Sequence, residues 1–119
     1  MFDFRLLERR LEEKRREREE LRYEVLERTF KALEILSERY YFKKAYIFGS
    51  LVNPGRFHEW SDVDVAFIGL KDEDFFRIMA DLSELIGRDV DVVQMERCRF
   101  SDLIEKEGIV WRGKSSGWK

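Results

Sequence analysis

Residues 45–67, AYIFGSLVNPGRFHEWSDVDVAF, carry the reading of the whole chain. An apolar strand, Lys44–Phe48, runs into Gly49-Ser50. A loop follows that holds the chain's only proline, Pro54, and only histidine, His58. Asp62 and Asp64 then stand one residue apart at the head of a second apolar strand, Asp62–Ile68. Side chains two apart in a strand share a face, so these carboxylates are expected about 6.6 Å apart along the strand at a rise near 3.3 Å per residue. A third acid, Asp91, lies in DVDVV within an expected strand Asp89–Gln94. If the last two strands are neighbours, Asp91 comes within about 5 Å of the pair. Three carboxylates so close repel each other unless one is protonated or a cation sits among them. Oxygen ligands suit Mg²⁺, and two divalent ions about 3.5–4 Å apart are the usual chemical solution.

Gly49-Ser50 supplies a complementary half. Glycine lets the backbone approach a ligand closely. A turn that opens into a helix start points N–H groups at an anion, and the Ser50 hydroxyl adds a donor. Acids for Mg²⁺ beside a turn for phosphate describe a nucleoside triphosphate site. No GxxxxGK[ST] occurs, so the turn is not a Walker loop.

The rest of the chain frames this segment. At 119 residues one domain is expected. Charged residues make up 40% but nearly cancel, to −2, which gives no electrostatic case for a nucleic-acid partner. No signal peptide and no membrane-length apolar run is read, and a cytoplasmic location is expected. Cys98 is the only cysteine, so no intramolecular disulfide forms, and it reads as a small half-buried side chain.

With no Gly or Pro before Gly49, residues 5–38 read as one long helix laced by i,i+4 pairs such as Glu12 with Arg16 and Glu24 with Arg28. Its apolar stripe, among it Leu7, Leu11, Leu21, Val25, Ala32, Ile35 and Leu36, is interrupted from Glu12 to Glu20. Leu21–Leu36 is expected to lie on the domain. The N-terminal half projects, and Phe2, Phe4, Leu6, Leu7 and Leu11 suit docking on another chain. After Gly69, Asp72 or Asp74 caps a helix whose core face reads as Phe75/Phe76, Met79, Leu82 and Leu85/Ile86. Gly87 ends it. Ser101 caps a short helix, 102–107, and Ile109–Trp111 forms an edge strand. The expectation is an α+β fold, a small mixed sheet flanked by helices behind a long N-terminal helix. It divides into a projecting helical segment over residues 1–29, a compact domain over residues 30–112 and a loose tail over residues 113–119.

Gly49-Ser50, SDVDVAF, DVDVV and the ending LIEKEGIVW together resemble the polymerase-β-type nucleotidyltransferase superfamily, and more narrowly the minimal nucleotidyltransferases of prokaryotes. The resemblance covers about residues 30–111. It implies that Asp62, Asp64 and Asp91 ligate two Mg²⁺ ions, and that Asp91 also takes the proton of the attacking hydroxyl. It implies that Gly49 and Ser50 hold the triphosphate of ATP. The family's usual Arg and Gly soon after the Ser are replaced here by Leu51-Val52-Asn53-Pro54-Gly55-Arg56, so Arg56 serves the phosphates from a shifted place. His58 reads as a loop histidine, with substrate contact the alternative, and Trp60 as packing the loop. Relatives of this kind are antitoxins of HEPN-domain toxins, which implies AMP transfer to a HEPN protein or, alternatively, inhibition by occlusion. Homo- or hetero-oligomers through the N-terminal helix fit the same picture. Nucleotide addition to an RNA end is a further alternative, and it needs Arg56, Arg88, Arg97 and Arg99 gathered on one face. Nothing in the sequence reads a nucleobase.

Overall fold

The computed structural model describes residues 3–113. The tail expected to be loose lies outside them from residue 114 onward, as does Phe2. The chain runs α1 (Phe4–Leu36), β1 (Lys44–Phe48), a 3-10 turn (Gly49–Val52), β2 (Val63–Ile68), α2 (Phe75–Ile86), β3 (Val90–Gln94), α3 (Ser101–Glu107) and β4 (Ile109–Trp111), with further 3-10 turns at Asp72–Asp74 and Met95–Arg97. The sheet order is β3-β2-β1-β4. β1 is antiparallel to both β2 and β4, whereas β2 and β3 are parallel. This is the mixed α+β sheet that the strand pattern predicts.

Helix α1 begins at Asp3, whose carboxylate accepts from the Arg5 N–H at 2.9 Å. Thirty-three residues follow, rich in the good helix formers Leu, Glu, Arg and Lys, about 50 Å at 1.5 Å per residue. Side chains 3–18 are exposed, and burial starts at Arg22, Val25 and Leu26. Glu24 pairs with Arg28 as the spacing predicts, and Glu19 pairs with Arg22 one turn earlier. Ile35, expected on the stripe, is 42% exposed. Among the described residues no helix is long and apolar enough to cross a membrane.

The two sheet faces differ. Ile47, Val65, Phe67 and Val92 face α1 and α2, where Leu33, Leu36, Ile78 and Leu82 close the main core. On the other face Tyr46, Ala66, Met95 and Ile104 form a smaller cluster under α3. By the two-residue alternation of strands, Asp64 shares this second face with Ala66 and Ile68.

Three local expectations need correction. The inward face of α2 is Ile78, Leu82 and Ile86, with Phe75 and Met79 at its margin, whereas Phe76 is 76% exposed and Leu85 also faces outward. Asp74 stands at the N-cap position of α2 but makes no side-chain cap bond, Ser101 is already helical, and the Asp72 carboxylate accepts from Gln94 and Arg97. The second and third strands start at Val63 and Val90, which leaves Asp62 and Asp89 just outside the ladder.

Candidate active site

β1 delivers the chain to Gly49, whose φ of +76° suits a residue without a side chain. A Cβ built there would lie 2.2 Å from the Asp64 Oδ2. The turn and the acid therefore touch, and no other residue type fits between them without moving one. The register agrees, since Phe48, the residue before Gly49, stands opposite Asp64. On the other side of β2, Asp64 is paired with Asp91 in the parallel register. Asp62 leads into β2 and is exposed, as is Asp91, while Asp64 is half-buried.

The Asp64 carboxyl is pushed up to about 6, first by burial and then by the negative charges of Asp91 and Asp62. A cation among these groups would remove both the repulsion and part of the desolvation cost, and the donor set is oxygen only, as Mg²⁺ requires. Among the described residues no three His, Cys, Asp or Glu side chains already close into a cation cage. That does not conflict with the fit. Mg²⁺ is commonly held by one or two carboxylates together with substrate phosphate oxygens and water.

The turn is fixed by two residues that spacing and motif did not single out. Asn53 donates from its side-chain amide to the Gly49 carbonyl at 2.6 Å. A signal for it exists, because Asn in a turn commonly bonds back to nearby backbone. Arg22, buried in α1, donates to the Leu51 carbonyl at 3.0 Å and forks onto Glu19 at 2.6 and 3.0 Å. It falls on the inward face at helical spacing from Val25, Leu26 and Thr29, and a charge on that stripe is the clue. Arg56 is exposed on the same loop and lines, with Gly49, Asn53 and Glu107, a small cavity of about 200 Å³ between the turn and α3.

The loop before Asp62 is equally ordered. His58 Nδ1 accepts from the Trp60 N–H at 3.1 Å, and the His58 N–H donates to the Ser61 Oγ at 3.0 Å. His58 thus holds the loop's shape. Trp60 does not pack the loop as expected. It is 86% exposed, and Phe57 fills the interior instead. Arg88 is held by loop carbonyls, whereas Arg97 pairs with Asp72 on the surface with both side chains exposed, so of the four arginines needed for an RNA-binding face Arg88 is committed elsewhere.

The family model described as polymerase beta, nucleotidyltransferase, matches residues 31–115. The chain belongs to this nucleotidyltransferase family. Solved structures agree on the nucleotidyltransferase fold. A toxin-antitoxin complex with AMP-PNP superposes with a TM-score of 0.59 at 20% identity, over 72% of this chain and 75% of that one. A protein provisionally assigned as a minimal nucleotidyltransferase gives 0.57 at 24%, over 69% and 87%. The toxin-antitoxin MntA-HepT gives 0.53 at 18%, over 74% and 72%. No curated protein matches the chain.

Proposed function

We propose that this nucleotidyltransferase moves AMP from ATP onto a HEPN-type toxin and serves as its antitoxin. The observation that carries the catalytic reading is the meeting at Asp64, with Asp91 opposite it across the parallel ladder and Gly49 against its carboxylate. Asp62, Asp64 and Asp91 would hold two Mg²⁺ ions. When bound, these supply positive charge for the phosphates and ease ionisation of the attacking hydroxyl.

The remaining roles belong to the chain. The Ser50 hydroxyl and the turn's N–H groups donate to phosphate oxygens, and Arg56 adds a cation beside them. The acceptor oxygen forms a bond to the α-phosphorus while the bond from that phosphorus to the bridging oxygen breaks. The hydroxyl proton passes to Asp91, and pyrophosphate leaves. A water-exposed acid suits that last task, because it can hand the proton on to solvent.

The acceptor assignment draws support from two toxin-antitoxin complexes among the structural neighbours. It also draws support from α1, where Phe4, Leu7 and Leu11 are exposed at helical spacing beyond the domain. Incubation with labelled ATP, Mg²⁺ and the product of the neighbouring gene tests the proposal, with mass spectrometry of the partner. An adduct of one AMP on the partner is expected. No adduct, together with full neutralisation by the Asp62→Asn/Asp64→Asn double variant, would leave occlusion by α1 as the function.

A further inference from the structure

Asp62 is the one candidate ligand that the sheet does not hold. Asp64 and Asp91 sit inside paired strands, whereas β2 begins only at Val63. Something else must place Asp62, and a two-residue segment between α2 and β3 does so from both sides. The Arg88 guanidinium donates to the Ser61 carbonyl at 2.7 Å, to that of Glu59 at 2.7 Å and to that of His58 at 3.0 Å. Its Nε also reaches the Ser61 carbonyl, at 3.1 Å, and its Cζ lies 4.8 Å from the ring centre of buried Phe57. The backbone carbonyl of the next residue, Asp89, accepts from the Val63 N–H at 3.0 Å. The residues before and after Asp62 are therefore both tied to residues 88–89. The bonds within the loop, His58 to Trp60 and Ser61, give it a shape but not a place.

We propose that Arg88 is a positioning residue that fixes Asp62 for cation binding. This rests on the reading of the acids given above. A guanidinium fork can serve three carbonyls and a ring face together, and a lysine ammonium cannot match that geometry. Arg88 touches no reacting atom and acts only through the loop. Arg88 follows Gly87, the left-handed residue that ends α2, and its side chain lies back across the loop. Arg88 and Asp62 also line one cleft of about 440 Å³, which includes neither Asp64 nor Asp91.

The test compares wild type, Arg88→Lys, Asp62→Asn and the double variant. Direct Mn²⁺ binding and backbone hydrogen exchange are the readouts. Arg88→Lys is expected to weaken Mn²⁺ binding about tenfold and to speed exchange at the Ser61 and Val63 amides at least tenfold. Exchange in the centres of β2 and β3 should stay as in wild type. In the Asp62→Asn background the Arg88 change should cost no further Mn²⁺ affinity, because non-additivity marks groups that act through one another. Equal losses in both backgrounds, or unchanged exchange at residues 61 and 63, would overturn the proposal while leaving the site itself intact. Wild-type protein that binds no Mn²⁺ would remove the reading of the acids and this proposal with it.

Discussion

The two faces of the sheet are built from the same strands yet solve opposite problems. Val65 and Phe67 point into a dry core closed by α1 and α2, where each apolar contact adds stability. Asp64, between Val63 and Val65 on the same strand, points the other way, toward Asp91 and Gly49, and its charge opposes folding. One face closes the main core, and the other, which also carries the smaller cluster under α3, gives up some stability at its acids. Substitutions on the two faces should therefore differ in kind. Changes on the acid face remove chemistry and spare the fold, and changes on the core face do the reverse.

The largest effect expected is on transfer. Asp64→Asn should lower nucleotide transfer at least a thousandfold, about 4 kcal/mol in transition-state terms, with circular dichroism unchanged. Wild-type transfer by this variant would end the division between the faces. On the core side, Phe67→Ala should cost about 3–5 kcal/mol of unfolding free energy, read by urea denaturation, because Phe67 is fully buried and stacks edge-on against Phe42 at 4.9 Å. A loss below about 1 kcal/mol would mean that the face is less closed than it looks.

Gly49→Ala probes the boundary between the faces. The new methyl would enter the space of the Asp64 Oδ2, and the backbone there has a positive φ. Stability should fall by about 1 kcal/mol or somewhat more, while transfer falls at least tenfold because the acid is displaced. A variant that loses stability but keeps its rate would separate the turn from the acid.

Much of this arrangement was legible in the sequence because it depends on spacing. The absence of Gly and Pro before residue 49 marks α1, and the two-residue period places Asp64 on the face opposite Val63 and Val65, whereas Asp62 stands one residue before β2 and the period does not place it. Other features depend on what a residue meets in space. Helix α2 carries apolar residues on more than one face, so periodicity alone did not choose Ile78 over Phe76; the position of β2 and β3 beneath it did. Phe57 and Trp60 are both aromatic loop residues, and only packing shows that the first is buried and the second exposed. Asn53 and Arg22 leave a faint mark, an Asn in a turn and a charge on an apolar stripe, but Arg88 escapes a sequence reading as a support because its partners are backbone carbonyls, and a carbonyl leaves no mark in the sequence of its own residue.

The smallest effect is also the most direct measure of what the acid face costs. In the metal-free protein Asp64 ionises near 6, against an ordinary value of 3.8 in the unfolded chain. Between those two values the folded state binds the extra proton, so stability from this group is greatest at low pH and falls as pH rises toward 6. The full shift corresponds to about 3 kcal/mol, and solvent around a half-buried carboxyl reduces it to about 1–2 kcal/mol. Carboxylates such as Glu19 and Asp72, held below their usual range by arginine and amide partners, push the pH dependence the other way. The difference between Asp64→Asn and wild type cancels their contribution. That difference should be near zero at pH 4, rise to about 1–2 kcal/mol in favour of the variant by pH 7, and shrink when Mg²⁺ is added, because the cation stabilises only the wild-type carboxylate. Chemical denaturation at several pH values, with and without Mg²⁺, measures it. A difference that stays flat from pH 4 to 7 would show that Asp64 is as well solvated as a surface acid and that the second face imposes no electrostatic burden on the fold.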